Sequence, residues 1–336
     1  MKVWFNHWFS TSYHLINLMK RPDPKRFSFI GSSTNPYALY KIACDEFYPE
    51  RHDVSDEDYL EFCLSFCKKH AVDIFVPRHN LVSVVENHQR FADIGVKLFA
   101  DIKPEIVRKL NNKFASYELM RKIVPERVPE IIIAKSCEEF EAAFLKLAEN
   151  HRRVCYKLTV DEGARSFRVI DNSIESCANL YNNPGNKITL EASLKILKEY
   201  NFKIPVMLMP YLDGVEISVD CLKTSRGNII IPRYKQNARY SEVIFDGELM
   251  DECSRILDAL ELEMPMNIQY KKGEGSAYLL EINTRMSGGL QMSCEAGGIN
   301  LPGVALYKLI GEDLAWSYPE YKSMKAANLE TPICLE

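Results

Sequence analysis

The sequence predicts two architectures in succession, a parallel α/β unit and then a mostly antiparallel α+β region. Three observations carry this. Over the first hundred residues short apolar runs alternate with segments of helical periodicity, the pattern of a parallel sheet covered on both faces. From Ile131 onward, apolar runs are joined by short polar turns, the pattern of hairpins. Further on, the apolar run Ala277-Tyr278-Leu279-Leu280 breaks into Glu281-Ile282-Asn283-Thr284-Arg285 and then Met286-Ser287-Gly288-Gly289.

Lys2-Val3-Trp4-Phe5 and Phe27-Ser28-Phe29-Ile30 read as strands, the second closed by the turn Gly31-Ser32-Ser33. Ser55-Asp56-Glu57-Asp58 resembles a capped helix start. Leu60, Cys63, Leu64 and Cys67 then repeat at helical spacing. Asp73-Ile74-Phe75-Val76-Pro77 is a short strand, and Val82 to Phe91 a helix. This half-Rossmann unit has no Gly-x-Gly-x-x-Gly, so dinucleotide binding is not expected. Ile102-Lys103-Pro104 reads as a boundary, giving domains over 1–103 and 104–336.

Beyond it, Glu105 to Val124 is predicted as one helix, closed by Pro125 and Pro129. Ile131-Ile132-Ile133 is a strand. Ser136 with Glu139 forms a second capping box, and Phe140, Ala143, Phe144 and Leu147 make the stripe that the following helix buries. Arg153 to Lys157 and Phe167 to Ile170 flank a polar loop with a single glycine, Gly163. Val206 to Met209, Glu216 to Asp220 and Ile229 to Ile231 are strands, and Leu249 to Leu260 a helix. The stretch 131–205 reads as a lobe of its own, able to close over a ligand.

A chain of 336 residues allows two or three packed units. Hydrophobic residues make up 46% and charged residues 26%, as in an ordinary soluble protein. A net charge of -4 provides no basic footprint for nucleic acid and no polybasic membrane segment. No apolar run approaches the ~18 residues that span a bilayer. Met1 to His7 lacks the apolar core of a signal peptide. The ten cysteines form no framework, so reduced thiols and a cytoplasmic location are expected. Cys63 and Cys67 share a helix face, but no further pair completes a zinc site.

Chemistry concentrates where the last apolar run ends. Alternate residues of a strand point to one face, so Glu281, Asn283 and Arg285 should project together. Met266-Asn267-Ile268-Gln269-Tyr270, a turn-rich linker and this run form a hairpin signal. A symmetric hairpin brings the Gln269 carbonyl oxygen near Glu281. Hard oxygen donors beside a fixed guanidinium suit a magnesium–nucleotide phosphate site.

These segments, in this order and over nearly the whole chain, resemble the ATP-grasp superfamily. The closest flavour is its carbamoyl-phosphate-synthase-like and carboxylate–amine-ligase-like group. The resemblance implies an ATP-grasp fold preceded by a pre-ATP-grasp domain. It also implies ATP with Mg2+ (or Mn2+), held by Glu281 and Asn283 of a Glu-x-Asn-x-Arg strand end and by Gln269. It implies that Lys113 and Lys157 grip the nucleotide phosphates, and that Met209, Pro210, Tyr211 and Leu212 form the adenine-binding linker. Glu216 is implied for the ribose and Gly163 for the lid loop. Many relatives have three or more glycines in that loop, and Arg165, Ser166 and Arg168 stand here as side-chain donors. Arg285, Arg233 and Lys235 are implied to face the transferring phosphoryl group. The implied reaction activates a carboxylate as an acyl phosphate for attack by an amine or another nucleophile, with a homodimer as the assembly. Carbamoyl-phosphate-like activation of a small carboxylate or bicarbonate, and a non-catalytic nucleotide-binding protein, are the alternatives.

Overall fold

A computed structural model describes residues 1–51, 54–161, 165–174, 183, 185–236, 240–273, 275–329 and 331–334. By internal packing the chain divides into two compact units. The first comprises Met1–Asn111, Val215–Tyr270 and Leu280–Glu336, and the second Asn112–Gly214 and Lys271–Leu279. The sequence boundary at 103/104 divides the chain differently; the expected 131–205 lobe falls inside the second unit.

The first unit begins with a parallel sheet, β1 (Lys2–Asn6), β2 (Ser28–Ser33), β3 (Glu46–Pro49), β4 (Ile74–Val76) and β5 (Lys97–Leu98), in the order β3-β2-β1-β4-β5. Helices α1 (Ser12–Lys20), α2 (Asp56–His70), α3 (Leu81–Glu86) and α4 (His88–Ala92) connect or flank these strands. Strand β1 is apolar throughout its middle because both its faces are covered. Val3 and Phe5 join the cluster of Leu15, Ile16 and Met19 of α1, and Trp4 joins that of Leu60, Cys63 and Phe66 of α2. Ser55 caps α2 by accepting the Asp58 N–H at 3.1 Å, as its sequence signature predicts. The helix expected over Val82 to Phe91 is broken into α3 and α4 at Asn87, whose amide donates to the Ser83 carbonyl at 2.9 Å. A short side chain that bonds nearby backbone competes with the helical ladder.

The helix expected from Glu105 to Val124 is likewise two, α5 (Pro104–Asn111) and α6 (Lys113–Met120). Asn112 leaves helical geometry with φ −93° and ψ 114°, and its side chain accepts the Ala115 N–H at 3.0 Å. It is an N-cap, the role for which asparagine is well suited. Lys113 therefore opens α6.

In the second unit β6 (Ile132–Ala134), β7 (Val154–Leu158), β8 (Arg168–Ile170), β9 (Lys187–Ile188) and β10 (Val206–Pro210) form a sheet ordered β6-β10-β7-β8-β9. Helices α7 (Cys137–Asn150) and α8 (Leu190–Tyr200) pack on it. The predicted cap at Ser136 is made, Glu139 N–H donating to Ser136 Oγ at 3.2 Å, but the Glu139 carboxylate reaches back one residue past the box partner and accepts Lys135 N–H at 2.7 Å. Phe140, Ala143 and Leu147 are buried against Val154, Tyr156 and Leu208. Burying each large apolar side chain of this set contributes about 1.5–3 kcal/mol.

The first unit continues with β11 (Glu216–Thr224), β12 (Gly227–Lys235), β13 (Tyr240–Ile244), β14 (Met266–Lys272), β15 (Ala277–Asn283) and β16 (Ser323–Ala327). Their order is β15-β14-β11-β12-β13-β16. The turn end of the β14–β15 hairpin, 271–279, counts with the second unit. Helices α9 (Gly247–Leu260), α10 (Leu290–Gly297) and α11 (Leu301–Leu309) accompany this sheet.

Candidate nucleotide and acceptor sites

Four neighbouring strands of the six-stranded sheet each carry a polar pair two residues apart. These are Ser218 and Asp220 on β11, Arg233 and Lys235 on β12, Asn267 and Gln269 on β14, and Glu281 and Asn283 on β15. Strand alternation puts each pair on one face. The β11–β12 register sets Ser218 opposite Arg233 and Glu216 opposite Lys235.

Asn283 Nδ2 donates to Glu281 Oε1 at 3.1 Å, so this acid and amide do share a face. Gln269 Nε2 donates to Asn267 Oδ1 at 3.0 Å, which leaves the Gln269 carbonyl oxygen for another partner. Asn267 is fully buried and donates to Ser218 Oγ and Asp220 Oδ1, each at 2.9 Å. From Asp220 the network runs through Ser293 Oγ, which donates at 2.6 Å, to Arg233 Nε, which donates to Ser293 at 3.1 Å. Arg233 Nη1 reaches Ser241 Oγ at 3.3 Å. Arg233 and Asp220 are 4% and 2% exposed, so both charges lie out of water. Burial pushes the Asp220 carboxyl up, opposed first by the Arg233 guanidinium and then by hydrogen bonds from its neighbours.

Gly289 leaves the space that the guanidinium occupies. A Cβ there would lie 2.3 Å from Arg233 Nη2, so no side chain fits without displacing it. Arg233, Lys235 and Gln269 line one cavity of about 400 Å3, with Ser241, Gly288 and Gln291 among its other walls. Lys235 also forms an ion pair with Glu216, both partly exposed. Arg285 lies past the end of β15, so strand alternation does not govern it; its guanidinium is 5.7 Å from the Phe9 ring centre.

Among the described residues no group of three or more His, Cys, Asp or Glu side chains is placed to hold a metal ion. Glu281, Asn283 and Gln269 contain a single carboxylate. They are all hard oxygen ligands, and phosphate oxygens usually complete the shell of a magnesium ion held by so few protein groups. The donor set thus fits Mg2+ bound together with a nucleotide.

In the second unit Lys113 and Lys157 are 7% and 8% exposed. The Lys113 backbone N–H donates to Thr159 O at 2.8 Å and its ammonium to Asp161 O. Lys157 is the fourth of the five residues of β7, and its ammonium is 5.8 Å from the Tyr117 ring centre. Gly163 lies outside the described residues. Ser166 donates through both N–H and hydroxyl to Asp161 Oδ2 at 2.8 and 2.6 Å. Arg168 donates to the Arg165 and Phe167 carbonyls.

Met209 and Pro210 end β10 and are buried. Tyr211 N–H donates to Arg153 O at 2.9 Å, and its ring lies 4.4 Å from the Arg153 guanidinium and 5.2 Å from the Lys271 ammonium. The Leu212 N–H has no hydrogen-bond partner among the described residues. A backbone donor of that kind is what edge-on recognition of a purine uses.

Sequence reasoning missed Ser218, Asp220, Asn267, Ser293 and Gln291. Four strands each with polar residues at i and i+2 were a usable signal for the first three. Ser293 and Gln291 belong to α10, a helix the sequence reading did not anticipate.

Residues 203–332 match the family model described as ATP-grasp in the biosynthetic pathway with Ter operon. The chain has the ATP-grasp fold, and the matched segment is similar to that family. The carbamoyl phosphate synthase large chain of Clostridium botulinum (strain Alaska E43 / Type E3) is 24% identical over 150 residues, covering 39% of this chain and 14% of that protein. The arginine-specific large chain of Geobacillus stearothermophilus is 22% identical over 238 residues, covering 66% of this chain and 21% of that protein. The matches thus span about a fifth of those relatives' length at most. The biotin carboxylase domain dimer of Hydrogenobacter thermophilus 2-oxoglutarate carboxylase was solved with MgADP, ADP and bicarbonate. It matches with a TM-score of 0.68 at 14% identity, over 94% of this chain and 71% of that one. No helix among the described residues is long and apolar enough to cross a membrane.

Proposed function

We propose that the protein is an ATP-dependent ligase that activates a carboxylate as an acyl phosphate for attack by an amine or another nucleophile. One observation carries the reading. On β15 of an ATP-grasp fold, Glu281 and Asn283 share a face within hydrogen-bond distance, on the strand beside the one that bears Gln269.

The first step joins a carboxylate oxygen to the γ-phosphorus of ATP and releases ADP. In the second, the nucleophile attacks the acyl carbon, phosphate leaves, and the amine loses a proton. Positioning and charge neutralisation dominate such transfers, so the protein needs no covalent nucleophile. Lys113 and Lys157 neutralise the α- and β-phosphates. The linker of Met209, Pro210, Tyr211 and Leu212 takes the base, supported by the available Leu212 N–H. Glu216 takes the ribose in exchange for its ion pair with Lys235. Arg233 and Arg285 meet charge on the transferring group, and Arg233 is the better prepared because its guanidinium is already fixed. Glu281, Asn283 and Gln269 are the residues to hold Mg2+, or Mn2+ in its place, which when bound offsets the repulsion between phosphates and an attacking carboxylate.

The free thiols among the described residues support a cytoplasmic location. The dimeric Hydrogenobacter domain supports a homodimer. The test is a screen of amino acids and small carboxylates for stimulated ADP release, with and without amines. An acceptor that drives ADP release should lose that effect by at least about a thousandfold in Glu281→Ala, with the fold intact by circular dichroism. Undiminished release by that variant sinks the proposal.

A further inference from the structure

The cavity lined by Arg233 is also lined by a residue whose side chain carries a polar atom that the activation chemistry above leaves unused. Gln291, the second residue of α10, is 6% exposed, and its Oε1 is buried with no hydrogen-bond partner among the described residues. A buried carbonyl oxygen left unpaired is costly, and such atoms are normally paired once a ligand or water is in place. Gln291 lines the cavity of about 400 Å3 and also a neighbouring one of about 230 Å3, so this residue stands where the two adjoin.

The same cavity offers a fixed cation. Arg233 uses Nε on Ser293 and Nη1 on Ser241, and a guanidinium has five N–H donors, so donors remain for an anionic ligand. The guanidinium packs directly against Gly289, where a Cβ would lie 2.3 Å from Nη2. Among the described residues no carboxylate lines this cavity. A ligand that satisfies both groups carries an anion at one end and an N–H donor a short distance away. Bicarbonate has no N–H, and four heavy atoms fill little of a cavity in the ~300–1,000 Å3 class that suits larger molecules.

We infer that the carboxylate substrate of this site is an amino acid, or a molecule ending in one, with its carboxylate on Arg233 and its N–H on Gln291 Oε1. As a statement about substrate, this rests on the ligase reading; as a statement about binding, it does not. The second cavity gives room for whatever extends beyond the amino group.

The experiment is calorimetric titration of the full chain, without nucleotide, with each of the twenty standard amino acids. Every one that binds is then compared with its des-amino carboxylic acid. At least one amino acid should bind more tightly than its des-amino partner by about tenfold or more, the effect of a charged donor meeting a buried acceptor. Gln291→Met, which keeps the volume and removes the acceptor, should bring that ratio to about one, whereas Gln291→Glu should preserve it. Equal binding of the two members, a preference that survives in folded Gln291→Met, or no amino acid binding below about 10 mM overturns the inference. Amino-acid binding without ADP release under any condition keeps the inference and removes the ligase reading. ADP release driven by bicarbonate alone removes the inference and keeps that reading.

Discussion

The two compact units bury charge of opposite sign. Among the described residues the second unit buries Lys113 and Lys157 and no carboxylate, whereas the first buries Glu50, Asp101, Asp220 and Glu252 against one cation, Arg233. Their supports differ as well. The lysines make contacts to a backbone carbonyl and an aromatic ring, while Arg233 and Asp220 belong to a chain of side-chain hydrogen bonds. Charges in low dielectric act on a ligand more strongly than exposed ones. A positive interior suits phosphate oxygens, and an oxygen-rich one suits a divalent cation. The contrast teaches that the two units keep charge out of water by different means, cations set against a backbone carbonyl and an aromatic ring in one and an ion pair joined by hydrogen bonds in the other.

The sharpest way to break this contrast is at Asp220. Asp220→Ala leaves Arg233 buried without its counter-charge, and stability measured by urea unfolding should fall by about 3–5 kcal/mol. A loss below about 1 kcal/mol would mean that the network is incidental.

Asp101 comes next. It is 3% exposed, and Oδ1 accepts the Glu263 and Met264 N–H groups at 2.6 and 3.1 Å, while Oδ2 has no partner among the described residues. Burial pushes its carboxyl up to about 6, against those two hydrogen bonds. A raised carboxyl favours the folded state when protonated. Its contribution is therefore complete below about pH 4 and is lost as pH rises to about 6, on the order of 2–3 kcal/mol. Asp101→Asn keeps an acceptor for both N–H groups and should remove that part of the slope. A slope unchanged in the variant places the titration elsewhere.

Gly289→Ala should cost about 1–3 kcal/mol through overpacking against Arg233, and should weaken acceptor binding more than nucleotide binding. Equal weakening of both would show that the clamp does not act on the guanidinium alone. Lys157→Met is expected to have the smallest effect on stability, under about 1.5 kcal/mol, while lowering affinity for MgADP by about tenfold. If instead stability drops and affinity holds, Lys157 is structural.

The reading from sequence succeeded where a local rule governed the outcome. The alternation that unites Glu281 with Asn283 and the helix caps at Ser55 and Ser136 are local geometry, and all three are present. The reading failed where one residue had two roles available. Asn87 and Asn112 sit inside helical patterns, and whether an asparagine stays in a helix or bonds its own backbone depends on what surrounds it. Arg285 was placed by extending strand geometry two residues beyond Asn283, where β15 ends. The network through Asp220, Asn267 and Ser293 joins segments 47 and 73 residues apart. No short window contains it. The α10 helix that supplies Ser293 is buried on most sides, so it lacks the polar stripe that marks a surface helix.

The division of the chain also bears on the order in which it folds during synthesis. The parallel sheet ends at Leu98 and can form early, but the six-stranded sheet is built from segments that run from Glu216 to Ala327 and is interrupted by 271–279, which counts with the other unit. A ribosome that has delivered residue 270 has made β11 to β13 but not β15, so β14, lying between β11 and β15, still lacks one neighbour. Until then its unpaired edge is open to association with other chains, a hazard typical of large proteins with distant strand pairings. Slow translation between Met266 and Asn283 would lengthen that exposure.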